Sequence, residues 1–201
     1  MSSGQILLVV VIAVLVLAIL FVVVTYNSMI RSRNMVDQAW SGIDVQLKRR
    51  HDLIPNLVEA VNAYAAHERA TVQAVTDART NAIAVSSPAS SGVAEGALGQ
   101  ALGRLLAVAE AYPALRASEN FQQLQGELAD TEDQIAAARR IYNGNVQSYN
   151  TKIQIFPNSL VAGVGHFTVR EFFEIAEPSD RDPVDVDFSA PAPETGNAPA
   201  V

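Results

Sequence analysis

With 201 residues, no cysteine and a formal net charge of −7, this chain has the length of one domain and none of the chemistry of thiols. Disulfides, cysteine nucleophiles, cysteine zinc sites and a lipidated cysteine are excluded. A general electrostatic hold on nucleic acid is excluded too: six acids and only Arg181 lie in residues 177–201, and the remainder is close to neutral.

The first element is Ile6 to Val24, "ILLVVVIAVLVLAILFVVV", 19 residues without a charge. A bilayer core needs about 20 apolar helical residues. A cleavable leader has a basic front and a shorter apolar run; Met1 to Gln5 carry no Lys or Arg, so an uncleaved anchor in the lipid bilayer is expected. Arg31 and Arg33 come soon after it, and the positive-inside rule places the C-terminal part of the chain in the cytoplasm by a margin of two charges.

No Pro or Gly interrupts residues 5–41, so the anchor is expected to run on into the next helix. Val36, Trp40, Ile43, Leu47, Ile54, Leu57, Val61 and Tyr64 keep a heptad seam, with Arg50 in the seam position between Leu47 and Ile54. "KRRHDLIPN", residues 48–56, then sets stop and start signals side by side. Lys48, Arg49, Arg50 and His51 suit a helix C-terminus, Asp52 an N-cap, and Pro55 a first turn. The unbroken heptad argues instead for one kinked helix, in which Pro55 removes the bond to the His51 carbonyl. The local signals favour a corner, with helices at about 26–51, 55–84, 94–112 and 114–152.

"SSPASSG", residues 86–92, reads as a turn. Leu98, Leu102, Leu105, Ala109 and Tyr112 mark the next amphipathic helix, which Pro113 interrupts. Phe121, Leu124, Leu128, Ile135, Ala138, Tyr142 and Tyr149 mark the longest one, with Thr131 and Asn145 at two seam positions. Pro157 breaks it, and "FTVREFFEIAE" is expected to be a short helix or a hook. From Pro178 on, five of the nine prolines accompany the acids, a composition that predicts a disordered tail.

"YNSMIRSRNMVDQAWSGIDVQLKRRHDLIPNLVEAVNAYAAHE", "ALGRLLAVAEAYPALRASENFQQLQGELADTEDQIAAARRIYN" and "YNTKIQIFPNSLVAG" resemble the signature blocks of the LemA family, in order, over residues 26 to about 175. The resemblance implies a bacterial, membrane-anchored bundle of four antiparallel helices without an established enzymatic activity. One branch of the family is associated with magnetosome membranes. Many members carry a lipid-attachment cysteine after the apolar segment, which places their bundle outside the cytoplasm. This chain has "TYNS" there, so that topology does not carry over, and it opposes the charge rule; the side stays open.

Among single residues Arg50 is the most informative, because a guanidinium in a seam is costly to bury unpaired. Either its stem packs while its head reaches solvent or helix-end carbonyls, or it pairs with Asp52, Glu127 or Glu132 and fixes the corner. A third reading gives Arg49 and Arg50 to a partner. Pro55 with Asn56, and Pro157 with Asn158, are corner chemistry, Pro setting φ and Asn bonding nearby backbone. His51, His67 and His166 have no Glu-x-x-His or HExxH context and are expected to be solvated. No GxSxG, GxxxxGK[ST] or GxGxxG occurs, so no catalytic, cofactor-binding or metal-binding residue is assigned. Gly99 and Gly103 suggest close helix packing. Trp40, Tyr64, Tyr112, Phe121, Tyr142 and Tyr149 read as core.

The expectation is an all-α chain: a transmembrane anchor over 1–25, an antiparallel four-helix bundle over 26–176 and a disordered acidic, Pro-rich tail over 177–201. Its expected role is a non-enzymatic scaffold or adaptor meeting an unidentified membrane or envelope protein, or forming a homo-oligomer. The alternative is a sensory bundle binding a ligand between helices. A membrane hydrolase would need a clustered acid, base or metal, which the sequence does not offer.

Overall fold

In the computed structural model, which describes residues 2–175, every regular element is a helix. The expected tail of residues 177–201 lies outside the described residues.

Helix α1 runs from Ser3 to Tyr64 without a break, 62 residues or about 93 Å at 1.5 Å per residue. Its apolar start, residues 6–24, is exposed all round, and α1 is the one described helix long and apolar enough to cross a membrane. Beyond it, burial follows the seam: Met29, Val36, Ile43, Leu47, Ile54, Leu57 and Val61. Tyr64 departs from that pattern, being 48% exposed at the helix end.

The expected corner at 51–55 is absent. Pro55 and Asn56 lie on the exposed face inside α1, and Asp52, instead of capping a helix, pairs with Lys48 at 3.0 Å one turn back. The reason lies across the fold. Proline at 55 has no N–H for the His51 carbonyl, and Arg79 Nε on the next helix donates to that same oxygen at 2.7 Å. A tertiary hydrogen bond replaces the helical one, and the heptad runs on.

The break comes instead at Ala65–Glu68. Helix α2 (Arg69–Ala84) and helix α3 (Pro88–Glu110) then fold back on each other. The serine-rich stretch expected as a turn is mostly the first turns of α3: Ser87 accepts from Ser90 N as N-cap, and Pro88 takes the first helical position. After a single turn, α4 (Pro113–Arg116), the long α5 (Glu119–Gln154) returns antiparallel to α1. α6 (Asn158–Val164) comes after Pro157, and residues 167–175 run as an extended strap, the hook of the two readings for that segment. At Gly165 a Cβ would stand 2.6 Å from the Phe167 ring, so a side chain there would displace the ring, while the left-handed residue of the turn into the strap is His166, at φ 52°.

Two apolar cores result. The near core, beside the apolar segment, joins Met29, Val36, Ile43 and Leu47 of α1 to Ile135, Tyr142, Val146, Tyr149 and Ile153 of α5, with Phe173 of the strap. Trp40, half-buried, sits 5.4 Å from the Tyr142 ring and 5.7 Å from that of Phe173. The far core joins Ile54, Leu57 and Val61 to Val75 of α2, to Leu98, Leu102 and Leu105 of α3, and to Leu115, Phe121 and Leu124.

Candidate functional site

Between the two cores lies a layer of buried polar groups. Arg50 and His51 occupy the turn of α1 between Leu47 and Ile54, Glu95 faces them from α3, and Thr131 closes the layer from α5. Glu95 is 1% exposed, so its charge is tolerable only with partners. It has two: Arg50 Nη1 donates to Oε2 at 3.3 Å, and His51 Nε2 meets Oε1 at 2.6 Å. The same Arg50 Nη1 reaches Glu132 Oε2 on α5 at 3.1 Å. One guanidinium thus ties three helices together at the level where the cores meet. Thr131 satisfies its own hydroxyl by donating to the Glu127 carbonyl at 2.7 Å.

Of the partners expected for Arg50, Glu132 is present; Asp52 is engaged with Lys48, and Glu95 takes the place of Glu127. Arg49 stays on the exposed face. His51 is buried, against the expectation of a solvated ring, because α3 brings a carboxylate to it; His67 and His166 are exposed. Nothing near His51 in the chain announces Glu95, which is 44 residues away. Among the described residues no three His, Asp or Glu side chains converge as metal ligands, and Arg50 stands between the two carboxylates as their counter-ion.

The layer opens on two sides. Arg50, Glu95 and Glu132 are the charged groups, beside Gln100 and Gln125, of a groove of about 660 Å³ between α3 and α5, walled by Leu102, Leu106 and Leu128 and floored by Gly96, Gly99 and Gly103. His51 and Asp52 line a second cavity of about 500 Å³ beside Trp40, Ala82 and Ser91. Gly99 brings α3 close to the guanidinium: a Cβ there would lie 3.4 Å from Arg50 Nη2, in van der Waals contact with it.

A second constellation was invisible as chemistry but present as a repeat. Tyr142-Asn143 and Tyr149-Asn150 are the same dipeptide one heptad apart on α5. Asn150 accepts from Arg170 N at 2.8 Å and donates to Arg170 O at 2.9 Å. Asn143 treats Phe173 in the same way, at 3.0 and 3.1 Å. Tyr149 donates to the Thr168 carbonyl at 3.0 Å and Tyr142 to that of Glu171 at 2.8 Å. The spacing is commensurate: seven helical residues rise about 10.5 Å, and three extended residues span about 10 Å. A heptad of Tyr-Asn pairs therefore reads an extended backbone every third residue. Burial pushes both tyrosine hydroxyls above their ordinary pKa, against the lowering pull of Arg170. Pro157 and Asn158, at the α5–α6 turn, belong to neither constellation; Pro157 is exposed and Asn158 half-buried.

The family model of the LemA family matches residues 39–188. Magnetosome protein MamQ 2 of Paramagnetospirillum magneticum is 27% identical over 175 residues, covering 74% of this chain and 64% of the relative. Magnetosome protein MamQ of Magnetospirillum gryphiswaldense is 26% identical over 201 residues, covering 86% and 74%. Protein LemA of Metamycoplasma hominis is 28% identical over 166 residues, covering 81% and 74%. The chain thus spans a little under two thirds of the length of the first of these relatives.

Proposed function

This chain belongs to the LemA family, and from that premise we propose that it is a single-pass protein of a bacterial membrane, anchored by residues 6–24. Its helices would form a bundle that serves as a non-enzymatic scaffold or adaptor. The observation that carries this reading is the continuity of α1. One helix contains the exposed apolar segment and also supplies the seam of both cores, so no hinge separates anchor from body. A rigid joint suits a platform held at a fixed height above a bilayer, where it meets a membrane or envelope protein or a second copy of itself. That two relatives bear the name of magnetosome proteins supports work at a membrane. The arrangement at Arg50 suits such a platform as well: its guanidinium is engaged in holding three helices together.

Extraction of membranes with alkaline carbonate tests the anchor; the full chain is expected to stay in the pellet, and recovery in the supernatant would remove the premise. Crosslinking in intact cells then tests the adaptor role, with a discrete crosslinked partner or dimer as the expected result. A cysteine placed in the tail reports sidedness without interference, because the chain has no native thiol.

One observation favours a second reading, a ligand-sensing bundle. The α3–α5 groove has apolar walls and ionic groups at its base, the form of a small-molecule site, and Arg50 at its edge belongs to the helix that bears the anchor. A ligand there would bear on α1 directly. A small molecule that raises the thermal stability of the wild type but not of Glu132→Ala would favour sensing over scaffolding.

A further inference from the structure

Helix pairing fixes what lies beside the apolar segment where it ends. Asn145 on α5 donates to the Met35 carbonyl at 3.3 Å, and Lys152, seven residues on, reaches Ser28, seven residues back, also at 3.3 Å. Three more residues in each direction bring Ile155 level with Thr25, the first residue past Val24. The far end of α6 returns to that level: the Tyr26 ring packs 5.4 Å from that of Phe167, and a Cβ on Gly165 would lie 3.2 Å from it. α6 and the turn before it therefore lie across the end of the α1–α5 pair. Val161 and Ala162 turn one face of α6 into the near core. The other face is bare. Leu160 and Val164, one turn apart, are 64% and 85% exposed, and Phe156 in the turn before them is 79% exposed. No charged residue interrupts residues 153–165.

We propose that this face is a second contact with the bilayer: Phe156, Leu160 and Val164 enter the boundary between headgroups and acyl chains, beside the anchor. Three observations choose lipid as the occupant. The face is level with the end of residues 6–24, whose apolar side chains are themselves exposed all round, so the two surfaces are continuous. α1 is helical from Ser3 to Tyr64 without a hinge, so the body cannot swing this face away from the bilayer. The charge is complementary as well. In a chain of net charge −7, the segments that build this end, residues 25–36 and 134–170, contain no Asp or Glu. Arg31 and Arg33 lie within about 12 Å of Thr25 along the helix axis. Arg33 stands over the Phe167 ring at 5.7 Å, and Lys152 bonds the hydroxyls of Ser28 and Ser32. These partners are neutral, which leaves both charges for lipid phosphates. The inference rests on the reading of residues 6–24 as an anchor and deepens it: two contacts fix the tilt of the body as well as its height.

The absence of native thiols makes the test direct. The full chain carrying Leu160→Cys, Leu15→Cys or Tyr64→Cys is labelled with the fluorophore NBD. It is reconstituted into vesicles of phosphatidylcholine and phosphatidylglycerol, with or without phosphatidylcholine spin-labelled at acyl carbon 5 or 12. The 160 probe is expected to lose about half of its emission to the carbon-5 label, the depth that an interfacial apolar face reaches. The 15 probe should be quenched most by the carbon-12 label, and the 64 probe, about 60 Å along α1 from Val24, by neither. Adding Phe156→Asp and Val164→Asp, both at exposed positions, should cut the quenching at 160 by about threefold and leave that at 15 unchanged. Quenching at 15 without quenching at 160 overturns the proposal and leaves the anchor standing. No quenching at 15 removes the anchor, and this inference with it. Emission at 160 shifted to the blue yet indifferent to spin-labelled lipid would show the face covered by a second copy. Quenching at 160 that ignores the two aspartates would show proximity without contact. Either of these results overturns the proposal.

Discussion

On the side of Leu47 nearer the apolar segment, α1 and α5 have α6 and the strap for company; beyond Ile54 the same two helices meet α2, α3 and α4. The near core has two long helices with aromatic side chains, and the polar ends of those aromatics find backbone carbonyls on the strap. The far core is mostly aliphatic, with Phe121 its buried aromatic, and is closed by helices, whose backbone is already satisfied. A pair of helices can therefore be completed by an extended segment if side chains supply the hydrogen bonds that a helix would supply for itself. Arg50, His51 and Glu95 mark the level where one solution gives way to the other.

That boundary is where the comparison breaks most readily. Glu95→Ala leaves Arg50 with only the exposed Glu132 and His51 without its carboxylate, both still buried. A loss of about 3–5 kcal/mol is expected, as for other buried pairs deprived of one member. Denaturant unfolding of the full chain in detergent measures it. Arg50→Leu combined with Glu95→Leu should recover most of that loss, because the layer then becomes apolar. If the double substitution costs as much as Glu95→Ala, the ion pair is not what makes the site sensitive.

The next effect falls on the near core alone. Asn143→Ala removes both hydrogen bonds to Phe173, and Asn150→Ala both of those to Arg170. At about 1 kcal/mol per bond, each substitution should cost about 2 kcal/mol. Limited proteolysis should then cut between Thr168 and Ile175, while hydrogen exchange in α2 and α3 stays unchanged. Equal loosening of both halves would show that the strap supports the whole body and not one core.

Legibility from sequence divides along the same line. The α1 seam, the apolar segment and the long α5 are legible because their period is local and regular. The corner expected at Pro55 fails because every signal for it is local too. Proline, N-cap and clustered cations all describe a helix end, and the residue that cancels them, Arg79, lies 28 positions from the carbonyl it satisfies. Arg50 stands out by its seam position, and Glu132 can be named as a partner. Glu95 cannot, since it lies in a stretch of α3 whose apolar pattern gives no sign of it. The Tyr-Asn repeat is in plain view but reads as core aromatics, because a heptad that recognises extended backbone looks like a heptad that packs on a helix.

The Pro55 explanation can be tested by a cycle. Arg79→Ala should cost about 1–2 kcal/mol, the penalty of a half-buried carbonyl left without a donor. In a Pro55→Ala background the helix supplies its own N–H to His51 O, so Arg79→Ala should cost less than half as much. Equal costs in the two backgrounds would mean that Arg79 acts through some other contact.

The smallest effect is a pH dependence that should again divide the halves. Tyr142 and Tyr149 donate to the strap only while protonated, and burial raises both above the ordinary value of 10.0. A group whose folded pKa lies above its unfolded one contributes stability that is complete below the unfolded value and is lost as pH rises through the folded one. The near core should therefore hold its stability up to about pH 10 and lose it above that, as tyrosinate forms opposite the Thr168 and Glu171 carbonyls. Arg170, paired with Asp37 at 3.0 Å, moderates the change by favouring the ionised form. Tyr142→Phe combined with Tyr149→Phe should be less stable than wild type at neutral pH and flatter above pH 10, whereas Tyr112→Phe, at the far end, should leave the alkaline limb attributable to the strap in place. If the double substitution keeps the wild-type alkaline slope, the titrating groups lie elsewhere and the two hydroxyls hold the strap by packing alone.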